Sequence, residues 1–312
     1  MKRFVKRLSI FFLLIMLIFF GLTAAIFRYV NQRANFVVDK NIKYVIFGHS
    51  HPECAFDDSL ITNFKNYSAS GESLFYTYTK VEKVLAQNPG IDTIFIEFSN
   101  KHLAINGDEN IADAVDLQTS FANFAPLQNI RDHRFLFDSN RSGYIQSFPT
   151  VYRTQLRKIV LKDFDFLKLG GFRSLHRDKT DSLLLHGDKR EEVLFSKEAY
   201  GPETVASLKR IIDYCQSKNK KVFLVRSPQH AKYAGRINEK SLQDVQKKYF
   251  PHIEYLDFND FPLADSEFGD LSHLNFKGAQ KFSTWFNELL GKGLLKASNK
   301  RQFISDALKA IK

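Results

Sequence analysis

Residues 8–27, LSIFFLLIMLIFFGLTAAIF, form an uncharged apolar run of twenty residues. A helix of about 20 residues is what crosses the hydrocarbon core of a bilayer, so whatever follows this run must fold as a domain held at, or delivered across, a membrane. Lys2, Arg3, Lys6 and Arg7 precede it, and positive charge is retained on the cytoplasmic side. Residues 1–31 therefore read as a cytoplasmic stub and single-pass transmembrane anchor, with the main domain extracytoplasmic or periplasmic. A cleaved signal peptide is the alternative, because Thr23-Ala24-Ala25 supply small residues. The length of the run and the bulky Ile26, Phe27 and Arg28 after it favour the anchor.

The formal charge of +11 is partly the anchor's. Five of the 45 basic residues and none of the 34 acids lie in residues 1–31, which leaves +6 for the remainder. Basic patches interleaved with aromatics are absent, which argues against nucleic acid. An anionic membrane face or glycan suits the surplus better. Cys54 and Cys215 are the only cysteines, and a domain of this size needs no disulfide, so both thiols are expected to be free.

Past a short linker at 32–42, apolar and amphipathic stretches alternate. KYVIFGHS, KNYSAS and DTIFIEFSN read as buried strands and residues 74–87 as a helix stopped by Pro89-Gly90. After a long interval, residues 202–218 place Val205, Leu208, Ile211, Ile212 and Cys215 on one helical face. KVFLVRSP, residues 237–249, HIEYLDF and KGAQKFSTWFNELL then read as strand, helix, strand and helix. This alternation predicts an α/β fold, a flavodoxin-like three-layer sandwich with a mainly parallel sheet over residues 43–290. Residues 101–199 break the rhythm and read as an inserted helical cap, with TVYRTQLRKIVLKDF its plainest helix. Residues 291–312 read as a basic amphipathic tail.

Parallel sheets gather functional groups at the carboxyl ends of their strands. Those ends carry Gly48-His49-Ser50-His51, Ser70-Gly71-Glu72, Ser99-Asn100, Arg226 with His230, and Asp270-Leu271-Ser272-His273. A serine hydroxyl attacks a carbonyl only beside a base that is itself oriented by a third group. Ser50, His273 and Asp270 supply that set. The N–H groups of Ser50 and Gly71 and the amide of Asn100 are candidate oxyanion donors, and His49, Arg226 and His230 are candidate substrate contacts. His49 and His51 alternate along the chain and are expected to face apart, and no HExxH-like signature points to a metal.

Each residue also has an ordinary structural role: Ser50 or Asp270 as a helix cap, Gly71 and Asn100 as turn residues. Their joint order is what distinguishes them. Ser50, Gly71, Asn100 and His273, with Asp270 three residues before the histidine in DLSHLNFKGAQKFSTWF, resemble the SGNH (GDSL-like) hydrolase superfamily. The first block departs from its pattern, with Gly48-His49-Ser50 in place of Gly-Asp-Ser, and the Asn block lacks its preceding glycine. Within that superfamily the chain resembles membrane-anchored exported branches related to alginate and teichoic-acid O-acylation proteins. The resemblance implies a serine esterase or O-acyltransferase acting through an acyl-serine on acyl esters, acetyl above all, of an extracytoplasmic glycan. It implies no cofactor or metal, and an acylated glycan or acyl donor and a membrane acyltransferase as partners. A catalytically inactive glycan-binding or assembly subunit of the same fold is the alternative.

Overall fold

A computed structural model describes residues 1–103, 109–195 and 201–311. Five short strands, β1 (Tyr44–Phe47), β2 (Phe64–Asn66), β3 (Thr93–Glu97), β4 (Lys221–Arg226) and β5 (Glu254–Asp257), form one sheet in the order β2-β1-β3-β4-β5. All four pairings are parallel, and the order is that of the flavodoxin-like doubly wound fold. Central strands of such sheets are covered on both faces and read as unbroken apolar runs. Accordingly, every residue of β3 is buried.

Register and side-chain alternation build the core row by row. Ile46 of β1 pairs with Phe95 of β3, and Phe95 with Phe223 of β4. These side chains join one buried cluster with Phe282, Trp285 and Phe286, contributed by α12 (Phe276–Gly291). Val45, Ile94 and Leu224 alternate to the opposite face, on the side of α3 (Leu74–Gln87) and α10 (Pro202–Ser217), which pack on each other. Sheet and helices on both faces make the three layers.

The chain divides into two compact units. The larger comprises residues 36–111 and 167–312 and contains the whole sheet. The smaller joins residues 1–35 to residues 112–166. In it, the carboxyl half of α1 (Lys2–Arg33) buries Thr23, Ile26 and Val30; α1 packs on α7 (Arg141–Leu161) and on residues 125–127, and α4 (Ala114–Gln118), α5 (Ser120–Phe124) and α6 (Ile130–Ser139) pack on α7. The single cap expected over 101–199 is therefore divided: residues 112–166 belong with the apolar helix, residues 167–195 with the sheet. Within the larger unit, α8 (Thr180–His186) and α9 (Lys189–Leu194) precede α10 in sequence.

Two further boundaries move. The linker expected at 32–42 is pinned to the end of α3, where Gln87 Oε1 accepts from Phe36 N at 2.7 Å and Asn88 Oδ1 from Val38 N at 2.9 Å. Phe36 is fully buried. The tail at 291–312 is part of the domain, because Leu294 and Ile304, the latter on α13 (Lys300–Lys309), sit in the core cluster beside Trp285. α11 (Glu239–Tyr249) completes the helices before β5.

Candidate active site

β1 delivers the chain directly into α2 (Ser50–Ala55), leaving Ser50 at the first helical position. Pro52 is tolerated there because N–H groups of a first turn have no helical acceptor to lose. Gly48 makes the turn possible: a Cβ on it would lie 2.5 Å from Glu97 Cβ and 2.7 Å from Pro52 Cγ. The opposite partner comes from the loop before α12, in which Asp270 Oδ1 accepts from the backbone N–H of Ser272 at 3.0 Å and of His273 at 2.9 Å.

These two segments, more than two hundred residues apart, meet. His273 Nε2 lies 2.7 Å from Ser50 Oγ, and His273 Nδ1 lies 2.8 Å from Asp270 Oδ1. The imidazole is thus held between a hydroxyl and a carboxylate, an arrangement that could let it act as a base toward Ser50 Oγ. Burial raises the affinity of Asp270 for a proton, but the His273 hydrogen bond and the Arg177 guanidinium outweigh it and hold the carboxyl well below its ordinary range. Arg177 pairs with Asp270 Oδ2 and approaches His273 Nδ1 at 3.4 Å.

A cavity of about 160 Å³ opens at Ser50, lined among others by His49, Gly71, Ser73, Leu74, Lys101 and His102. Gly71 has φ +73° with nothing within 4 Å of a would-be Cβ, so glycine serves the left-handed turn while leaving its edge open to the cavity. The buried Glu72–Lys80 pair, 2.7 Å apart, steadies this loop, with Lys80 Nζ also donating to Tyr67 O at 2.8 Å. Ser73 Oγ and His49 Nε2 are buried in the same cavity without a hydrogen-bond partner.

Behind the hydroxyl lies a second carboxylate that the sequence reading missed. Glu97, fully buried at the end of β3, accepts from His49 N–H at 3.0 Å and Ser99 Oγ at 3.1 Å. Its oxygens lie 3.2 Å from His49 Nδ1 and 3.1 Å from His51 Nδ1. The two histidines were expected to face apart. They converge because the chain leaves extended geometry at His49 and turns into α2. Burial pushes the protonation of His49, His51 and His102 down, against the opposing pull of Glu97. Burial also disfavours the Glu97 anion, but the contacts with His49 and His51 dominate and keep it ionised. Donor atoms of His49, His51 and Glu97 all lie within 4.8 Å of one another, a grouping that could hold a metal ion.

Three expected contacts lie elsewhere. Asn100 turns to Arg226, its Oδ1 accepting from Nη1 at 3.0 Å, and it does not line the cavity. Arg226 spends all five donors on Asp257, Glu239 and Asn100, which leaves none for a substrate. His230 is engaged at both ring nitrogens, with Asp265 at 3.0 Å and Lys232 N–H at 3.1 Å. Its backbone N–H donates to Leu271 O, so it braces the loop that carries His273. Cys54 and Cys215 are both buried free thiols.

The signal for Glu97 was present, as a lone acid closing the apolar strand TIFIE. Arg177 had none, because it sits in an irregular segment with no periodicity to place it.

Among comparisons with known proteins, the model of one uncharacterised family matches residues 154–295. That span holds Asp270 and His273 but not Ser50. No curated protein matches the chain.

Proposed function

We propose that the larger unit is a serine acyl-ester enzyme, an esterase or O-acyltransferase of SGNH type, held at the outer face of a membrane by α1 and acting on acylated extracytoplasmic glycans. The observation that carries this reading is the Ser50–His273–Asp270 relay, with both links under 3 Å. His273 Nε2 takes the Oγ proton as Ser50 attacks the acyl carbonyl, then gives it to the departing oxygen. The oxyanion meets the backbone N–H groups of Ser50 and Gly71, with the Ser73 hydroxyl in the same cavity available in place of Asn100. Water or a glycan hydroxyl then releases the acyl group, His273 passing the incoming proton back to Ser50 Oγ.

The short cavity favours a small acyl group such as acetyl, and a membrane acyltransferase is the fitting supplier if the direction is transfer. The turned-away Asn100 supports a second reading, a glycan-binding subunit without turnover. Detergent-purified full-length protein incubated with acetylated polysaccharide tests the two. Acetate release, or acetyl transfer to an added unacetylated glycan, that vanishes in Ser50→Ala supports the enzyme. Glycan binding without either reaction supports the second reading.

A further inference from the structure

The smaller unit carries an apolar surface that neither its own core nor the relay explains. On α7, Ile145, Pro149, Tyr152, Leu156 and Val160 recur at helical spacing and so share one stripe. Ile145 is 61% exposed, Leu156 47% and Val160 78%. The helix's core-facing side is a different one, marked by the buried Ser147, Val151 and Gln155. Arg153 and Arg157, both exposed, border the stripe.

What covers it is indicated by α1. Tyr152 and Phe148 of α7 meet the Phe19 ring at 5.8 and 6.1 Å, and the Tyr152 hydroxyl bonds Thr23 Oγ1. Thr23, which meets the stripe residue Tyr152, stands four residues inside the end of the apolar run at Phe27, about 6 Å along the helix axis. The stripe therefore begins at the depth of side chains that the apolar run itself buries in lipid. Exposed aliphatics at that depth, aromatic rings beside them and arginines along the border match a helix lying in a lipid–water interface, where arginine stems reach outward to headgroups.

We propose that α7 lies in the interface of the leaflet from which α1 emerges, its Ile145–Val160 stripe set into the acyl boundary. The unit is then a two-part membrane seat, one span and one interfacial helix. This inference rests on α1 spanning the bilayer, and its test separates the two.

Cysteines introduced at Ile145, Leu156 or Val160, at Ile15 of α1 and at Lys209 of α10 take an NBD label selectively, since Cys54 and Cys215 are buried. The full-length chain is reconstituted in phosphatidylcholine–phosphatidylglycerol vesicles, and doxyl lipids serve as quenchers. The expected result is severalfold quenching at the three stripe positions by a shallow doxyl group, quenching at Ile15 by a deep one, and none at Lys209. Stripe probes as unquenched as Lys209 beside a quenched Ile15 would overturn the interfacial helix, leave the span intact and point to a protein partner for the stripe instead. An unquenched Ile15 would bring down both.

Discussion

Two histidine–carboxylate groupings flank Ser50, and they differ in access. His273 and Asp270 retain 17% and 14% side-chain exposure, and the imidazole points its free nitrogen at a hydroxyl. In the second grouping Glu97 is fully buried and His51 keeps 3% side-chain exposure, while His49, at 11%, also lines the cavity; the Nδ1 atoms of both histidines face the Glu97 carboxylate. The same pair of residue types thus serves two ends. Where a hydroxyl and a cavity lie in front, the pair can move a proton. Where the carboxylate lies wholly inside the protein, the pair braces the turn that presents Ser50, because Glu97 holds the His49 N–H.

The largest test of that contrast is Asp270→Asn. It leaves the loop in place but offers His273 the wrong tautomer, and labelling of Ser50 by a fluorophosphonate should slow by on the order of 10³–10⁴-fold with little change in Tm. Glu97→Gln should do the reverse. Loss of a buried charged acceptor costs about 2–3 kcal/mol, read by calorimetry as a Tm lower by roughly 5–10 °C, while the folded fraction still labels. Equal effects of both variants on labelling and on Tm would erase the distinction.

pH sharpens it. Burial keeps His49, His51 and His102 neutral in the folded chain, whereas in the unfolded chain they take up protons near 6.5. The unfolded state therefore binds more protons below that pH, and stability is present above it and lost as pH falls. Each such imidazole contributes a slope of up to about 1.4 kcal/mol per pH unit. Denaturant midpoints at pH 7.5 and 5.5 should show the loss, and a flat profile would contradict histidines held neutral by burial.

The smallest effects belong to the supports. Gly71→Ala at φ +73° should cost about 1–2 kcal/mol of stability. Arg177→Ala, which removes the partner of Asp270 Oδ2 from a partly exposed pair, should slow labelling about tenfold, near 1.4 kcal/mol of barrier.

What the sequence made legible follows from period and position. Short runs rich in Val, Ile, Phe and Tyr announced all five members of the sheet, which are three to six residues long, and strand ends announced Ser50, Asp270 and His273, because a parallel sheet places its loops on one edge. Roles that depend on where a side chain turns were not legible. Arg226 and Asn100 stand at strand ends as expected but face each other, and no pattern in one dimension records that. The insertion was harder still: its helices answer to α1, more than a hundred residues earlier, through pairs such as Phe27 on His133 at 5.8 Å. That coupling has no local signature.

The account stands on Ser50 Oγ being an activated nucleophile. Detergent-solubilised full-length protein is treated with a fluorophosphonate at pH 7.5 and its peptides are read by mass spectrometry. Stoichiometric modification of the peptide bearing Ser50, absent in Ser50→Ala and in His273→Ala, is the predicted result. A folded wild-type chain left unmodified, or modified equally in His273→Ala, would contradict it.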